Sequence, residues 1–175
     1  MLTVIMLIAT AILIVADQLT KIWAVLQLHN ADRVISVIDG VFEFHYAENP
    51  GVAFSMLEGQ RWIFIPVTLI IGGAILGMML RSPLRRYPLF NITCVLIFSG
   101  AIGNLIDRIV YGYVIDFLYF RLIDFPIFNF ADCCVVVGAI LLFIFFMFVM
   151  KEDDDTPLRT LFFGIEKSGK EKNDG

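Results

Sequence analysis

Asp116 and Asp132 lie sixteen residues apart. Between them run Arg121, Asp124 and the apolar stretch Phe125-Pro126-Ile127-Phe128, a connection long enough to fold back and bring the two carboxyls together. Two carboxylates within a few ångströms cannot both ionise easily, so such a pair shares one proton and titrates as a unit. The ionised member then activates water while the protonated member donates to a carbonyl oxygen, which is the chemistry of an aspartyl peptidase. Spacing leaves a second role open for Asp132, because Asp is a favoured N-cap residue and its charge suits the positive end of a helix.

Other polar residues sit close to long apolar runs, where a central Asp, Lys or Arg costs about 2.5 to 3.5 kcal/mol on insertion scales. Asp17 and Lys21 are spaced i, i+4 in the helix-favourable order, which suits an interfacial ion pair, with a catalytic lysine as the alternative. Asn49-Pro50-Gly51 has turn chemistry. Asn104, Asp107 and Arg108 close one apolar run, and Asn129 stands just before another. Asp107 and Arg108 fit either an interfacial anchor or groups that hydrogen-bond a substrate backbone. Metal chemistry lacks a signature, since His29 and His45 have no Cys or carboxylate at a ligand spacing such as HExxH or CxxC. No Gly-x-Ser-x-Gly element and no Walker-type phosphate loop is present, and the Gly-x-Gly-Asp of another intramembrane aspartyl protease class is absent.

The elements that must position these residues are membrane spans. The chain has 175 residues, 59% hydrophobic and 17% charged, with a mean hydropathy of +0.83. That balance excludes an ordinary water-soluble domain. A net charge of -4 offers no basic stripe, which argues against nucleic acid as a partner. Three uncharged runs, Trp62 to Leu80, Leu89 to Ile106 and Cys133 to Met150, each approach the roughly 20 residues a spanning helix needs. The first run, Met1 to Ala16, reaches that length by continuing through Asp17 and Lys21 to Trp23. No Lys or Arg precedes it and Ala9-Thr10-Ala11 lies within it, so it is expected to be retained rather than cleaved as a signal peptide. Cys94, Cys133 and Cys134 lie in apolar runs and read as packed thiols.

The expected fold is therefore an all-α integral membrane protein with four transmembrane helices, at about 2–23, 62–80, 89–106 and 132–150. Short cytoplasmic loops concentrate basic residues. Arg81, Arg85 and Arg86 in one connection, and Lys151, Arg159, Lys167, Lys170 and Lys172 in the tail, assign those segments and both termini to the cytoplasm. Segments 24–61 and 107–131 then face outward, and every polar candidate falls at the outer face. Val34 to Ile38, the Asp39-Gly40 turn and Val41 to Tyr46 predict a hairpin there, with Phe42, Phe44 and Tyr46 on a face that rests on the bilayer or covers a substrate. Val114 to Tyr119 adds an extended stretch, making a small outer-face β-sheet. Residues 1–150 are expected to form one unit and 151–175 a charged cytoplasmic tail, in which Leu158, Leu161, Phe162, Phe163 and Ile165 suggest a short interfacial helix. Two non-enzymatic classes compete with a peptidase. A cation transporter needs a carboxylate at mid-span, and none lies there; a structural subunit would use the polar cluster to dock a partner.

Five motifs in order carry a resemblance: Asp17-Gln18-Leu19-Thr20-Lys21, Asn49-Pro50-Gly51-Val52-Ala53-Phe54, Gly100-Ala101-Ile102-Gly103-Asn104-Leu105-Ile106-Asp107-Arg108, Val114-Ile115-Asp116-Phe117 and Phe128-Asn129-Phe130-Ala131-Asp132. Together they resemble the bacterial lipoprotein signal peptidases, also called signal peptidase II or peptidase family A8, over about residues 2 to 150. The resemblance implies that Asp116 and Asp132 are the catalytic dyad of a metal-independent aspartic endopeptidase without a cofactor. It implies that Asn49, Gly51, Asn104, Arg108, Asn129 and Ala131 line a substrate pocket, and that Asp17 and Lys21 support the site. Ala101 stands where the family often has Gly, and Cys133 where Ser is common. The implied substrate is a prolipoprotein already carrying diacylglycerol on its cysteine, cleaved on the amino side of that cysteine at the outer face of the bacterial inner membrane. Membrane lipid and the cyclic peptide inhibitor globomycin are the further partners the family implies.

Overall fold

The computed structural model describes residues 1–51, 61–81 and 86–149. The tail after Met150, the Val52-Ala53-Phe54 end of the second motif and Arg85 lie outside the described residues. Four long helices and three short strands are the main elements of the described residues, with a short 3-10 turn at Arg121–Ile123. Helix α1 (Leu2–Ala24) continues as a π-helical turn over Val25–His29, α2 covers Arg61–Arg81, α3 covers Pro88–Val110, and α4 (Phe130–Ile144) continues as a π-helical turn over Phe145–Val149. Among the described residues, three helical stretches are long and apolar enough to cross a membrane: Leu2–His29, Pro88–Val110 and Phe130–Val149. A shorter apolar stretch, Ile65–Arg81, belongs to α2.

Helix α3 is the hub, in contact with α1, α2 and α4. Small residues allow this, because helices in lipid associate through close backbone packing rather than through a hydrophobic drive. A Cβ on Gly138 would sit 2.6 Å from Ile97 Cγ1, and one on Gly100 would sit 2.8 Å from Val135 Cγ2, so α3 and α4 approach closely because a glycine of each faces a side chain of the other. Pro88 at the start of α3 has no N–H to leave unpaired, and its fixed φ suits the first helical turn. The other faces of α1 and α4 expose Ile8, Ile12, Leu19, Val136, Phe143 and Phe148, a lipid-facing surface.

Three helices extend past the ends expected from hydropathy. Helix α3 runs to Val110 rather than ending near Ile106, α1 passes Trp23, and α4 begins at Phe130 rather than Asp132. Charge stops a hydropathy run, but a helix continues where its charges find partners, and Asp107 is fully buried among partners.

The sheet has the order β1 (Ile35–Ile38), β2 (Phe42–Asn49), β3 (Val114–Tyr119), all antiparallel. Gly40, at φ 72°, makes the tight turn between β1 and β2. Strand β2 runs three residues beyond the expected Tyr46, because β3 pairs with its far end: Ala47 faces Asp116 and Asn49 faces Val114. A bulge between Phe44 and Ala47 adjusts that register. Phe44 does not stand free, since its ring packs 5.1 Å from Trp23 of α1 and 6.5 Å from Phe117. One apolar cluster around Met6, Met79, Phe90, Cys94 and Phe145 joins the helices, and a second around Ala24, Leu28 and Phe117 seats the sheet on the end of α1.

Candidate active site

Five elements converge where α1 and α3 end, α4 begins, and β2 and β3 pair. At its base lies Lys21, 1% exposed. Its Nζ is 2.9 Å from Asp17 Oδ2 and 2.8 Å from Asp107 Oδ2, and donates to Asn104 Oδ1 at 2.9 Å. All three ammonium donors are thus used. The Asp17–Lys21 pair that the i, i+4 spacing suggests is present; it is buried within the protein and includes a third charge, Asp107 of α3. A buried ion pair is tolerated only when its remaining lone pairs are satisfied. Asp17 Oδ1 accepts from the Ala131 N–H at 3.0 Å, and Gln18 Nε2 donates to Asp17 at 3.1 Å and to Asp107 Oδ1 at 3.1 Å. Ala131 belongs to the first turn of α4, whose N–H groups lack partners within the helix, so Asp17 supplies one and adds favourable charge at that end.

Asp116 sits on β3, 2% exposed. Asn49 Nδ2 donates to its Oδ2 at 2.9 Å and Asn129 Nδ2 to its Oδ1 at 2.6 Å. Asn49 arrives from the end of β2, and its own Oδ1 accepts from the Gly51 N–H at 3.0 Å. Gly51 has φ 109°, a conformation that favours glycine. The Asn-Pro-Gly turn therefore aims the Asn49 amide at Asp116.

Asp132 is half-buried. It does not cap α4 as an N-cap residue; Asn129 does, and Asp132 occupies the third helical position in a capping box. Asp132 N donates to Asn129 Oδ1 at 3.0 Å, and Asn129 N donates to Asp132 Oδ2 at 3.1 Å. The second carboxylate oxygen, Oδ1, accepts from Asn104 Nδ2 at 2.8 Å. Asn129, fully buried, thus binds Asp132 through its backbone and Asp116 through its amide. The two carboxyls that sequence spacing only allowed to meet lie on either side of this one residue.

Burial pushes the Asp116 carboxyl up to about 7. The Asp132 charge adds to the rise, while hydrogen bonds from Asn49 and Asn129 and the Lys21 ammonium oppose it. Arg108 donates from Nη1 to the Asn104 carbonyl at 3.3 Å, and its charge acts on Asp132, Asp116 and Asp107. Two carboxyls in such different surroundings suit acid and base roles at neutral pH. His29 and His45 pack on aromatic rings of the sheet, His29 tilted 4.5 Å from Tyr46 and His45 edge-on 6.0 Å from Tyr119.

A family model described as signal peptidase (SPase) II matches residues 9–148, a range that contains every residue of this site. The chain belongs to the signal peptidase II family. It is 43% identical over 141 residues to the lipoprotein signal peptidase of Symbiobacterium thermophilum, covering 79% of this chain and 91% of that protein. The lipoprotein signal peptidase of Clostridium tetani is 43% identical over 145 residues, covering 80% of this chain and 88% of the relative. A solved bacterial membrane enzyme, determined in meso at 1.9 Å, matches with a TM-score of 0.73 and 28% identity, covering 83% of this chain and 94% of that one. Membership in signal peptidase II makes the chain a protease family member and accords with its apolar helices.

Each of the ten expected site residues lies in or beside this centre: Asp17, Lys21, Asn49, Gly51, Asn104, Arg108, Asp116, Asn129, Ala131 and Asp132. Two more belong to it. Gln18 bridges Asp17 and Asp107, and Asp107 carries an ion pair rather than anchoring an interface. A signal for Asp107 existed, because it lies three residues after Asn104 on the same helix face.

Proposed function

We propose that this protein is an aspartyl endopeptidase that removes signal peptides from diacylglyceryl-modified prolipoproteins, cleaving on the amino side of the lipidated cysteine. The observation that carries this proposal is the single residue Asn129 holding Asp116 and Asp132 together. Asp132, the more accessible carboxyl, takes a proton from water, and the water oxygen attacks the scissile carbonyl carbon. Asp116, kept protonated to about pH 7 by burial, donates its proton to the carbonyl oxygen. The tetrahedral intermediate then collapses: the C–N bond breaks, the amine leaves with the proton Asp132 had taken, and the hydroxyl proton returns to Asp116. Asn49 and Asn104 hold the two carboxyls in place, and Arg108 faces both with positive charge.

Four spans fit this chemistry, with α2 as the fourth, residues 1–150 as the catalytic unit and 151–175 as a cytoplasmic tail. The basic connection containing Arg81, Arg85 and Arg86 assigns the start of α3 to the cytoplasm. From Pro88 to Asn104 along α3 is roughly 24 Å at 1.5 Å per residue, most of the hydrocarbon thickness, so the dyad stands near the outer interface. A substrate held by acyl chains in the outer leaflet presents its scissile bond at that depth. The family expectation of inhibition by globomycin attaches to the same site.

A gel-shift cleavage assay on purified diacylglyceryl-modified prolipoprotein tests the proposal. Wild type is expected to release the signal peptide with or without a chelator, and Asp116→Asn and Asp132→Asn are each expected to lose at least roughly three orders of magnitude in rate. Asn variants that cut as wild type does would remove the dyad from the mechanism.

A further inference from the structure

Asp107 is a fully buried carboxylate that hydrogen-bonds neither Asp116 nor Asp132, yet one path leads from it to Asp116 through Ile115 and another to Asp132 through Lys21 and Asn104. Its Oδ2 accepts from the Ile115 backbone N–H at 3.1 Å, on the residue preceding Asp116. The same oxygen holds Lys21 Nζ at 2.8 Å. Lys21 in turn donates to Asn104 Oδ1, which also accepts from Asn129 Nδ2 at 3.1 Å. Two donors on that oxygen orient the Asn104 amide so that its NH2 group points to Asp132 Oδ1. A carboxylate in the last turn of a helix opposes the helix dipole, so helix stability alone does not account for Asp107.

Resting on the aspartyl mechanism above, we propose that Asp107 is a positioning residue for the dyad: one arm clamps the Asp116 strand through the Ile115 N–H, and the other fixes the place of Lys21 and opposes the field of its ammonium, which orients Asn104 against Asp132. It touches no reacting atom. Its charge nevertheless acts on the proton that the dyad shares. The groups facing Asp116 are Asn49 from β2, Lys21 from α1, Arg108 from α3, and Asn129 with Asp132 from α4. Lys21 favours the ionised form of Asp116, and Asp107 shares with Asp17 the offsetting of that ammonium charge. Removing the negative charge of Asp107 therefore lets Asp116 lose its proton at lower pH.

The test is the pH profile of kcat/KM for lipidated prolipoprotein cleavage by the purified full chain. Asp107→Asn is expected to lower kcat at least tenfold with little change in KM, and to move the alkaline limb down by about half a pH unit or more. Asp107→Glu keeps the charge but displaces the clamp, so kcat falls and the limb stays. Lys21→Met acts from the other end of the pair and moves the limb up. Opposite shifts in Asp107→Asn and Lys21→Met, with none in Asp107→Glu, are the result expected. A merely structural role lowers activity in all three without moving the limb, and that outcome overturns the proposal. If Asp107→Asn does not accumulate, the other two variants decide it, because an unmoved limb in Lys21→Met or a moved one in Asp107→Glu is equally fatal. Wild type that fails to cleave, or Asp116→Asn that cleaves, would instead count against the aspartyl mechanism.

Discussion

At the level of residues, two identical side chains are made unlike by their neighbours. Asp116 is buried under two asparagine amides, whereas Asp132 is half-buried at a helix start with backbone and amide donors. The raised affinity of Asp116 for its proton has a consequence for stability. An unfolded Asp ionises near pH 3.9, so between about pH 4 and 7 the unfolded state loses a proton that the folded state keeps. Stability from this group is therefore full below that window and falls as pH rises through it. In a thermal-unfolding series from pH 4 to 8, wild type is expected to lose several degrees more than Asp116→Asn. Equal slopes for the two proteins would show that Asp116 is ionised in the folded state throughout.

Among the elements, α3 decides the geometry, because it carries Asn104, Asp107 and Arg108 and must approach both α1 and α4 closely enough to use them. Gly103 makes that approach feasible: a Cβ there would lie 2.5 Å from Asp17 Oδ2 and 3.3 Å from Ala131 Cβ. Gly103→Ala is expected to cost about 1 to 3 kcal/mol, as overpacking does, and to lower activity by displacing Asp17 from the Ala131 N–H. Gly73→Ala on α2, where a Cβ meets nothing within 4 Å, is the matched control. It is expected to leave melting temperature and cleavage near wild type. The reverse order of effects would mean that close packing of α3 is not what holds the site. The strands act with the helices here: β2 is anchored to α1 by the Trp23 and Phe44 rings, and it delivers Asn49 only because β3 extends its pairing.

For the molecule as a whole, polar chemistry is gathered at one end of an apolar bundle and basic residues flank the other. That asymmetry makes orientation measurable. With a membrane-impermeant maleimide on intact cells, Ile123→Cys is expected to label readily, and Arg86→Cys only after permeabilisation. Both positions are exposed on the protein, so access reports the side of the membrane. The native thiols Cys94 and Cys134 are buried and Cys133 half-buried, which keeps the background low. Labelling of Arg86→Cys first would reverse the orientation and place the dyad inside.

The amino-acid sequence by itself determined the apolar helices, the hairpin at Asp39-Gly40, the third extended stretch and the motifs that carry the site. Those features depend on local runs, periodicity and turn chemistry, which neighbouring residues set. Tertiary structure alone decided the rest. Spacing could not separate an interfacial Asp17–Lys21 pair from a buried one, because the deciding partner, Asp107, is eighty-six residues from Lys21 along the chain. Nor could it separate an N-cap role for Asp132 from a place beside Asp116, since Asn129 performs the capping and joins the two carboxyls. Helix α3 runs on past Ile106 for the same reason: a charge that ends a hydropathy run stays helical when a distant chain segment neutralises it. Contacts between segments far apart in sequence leave no periodic trace, and this site is built from them.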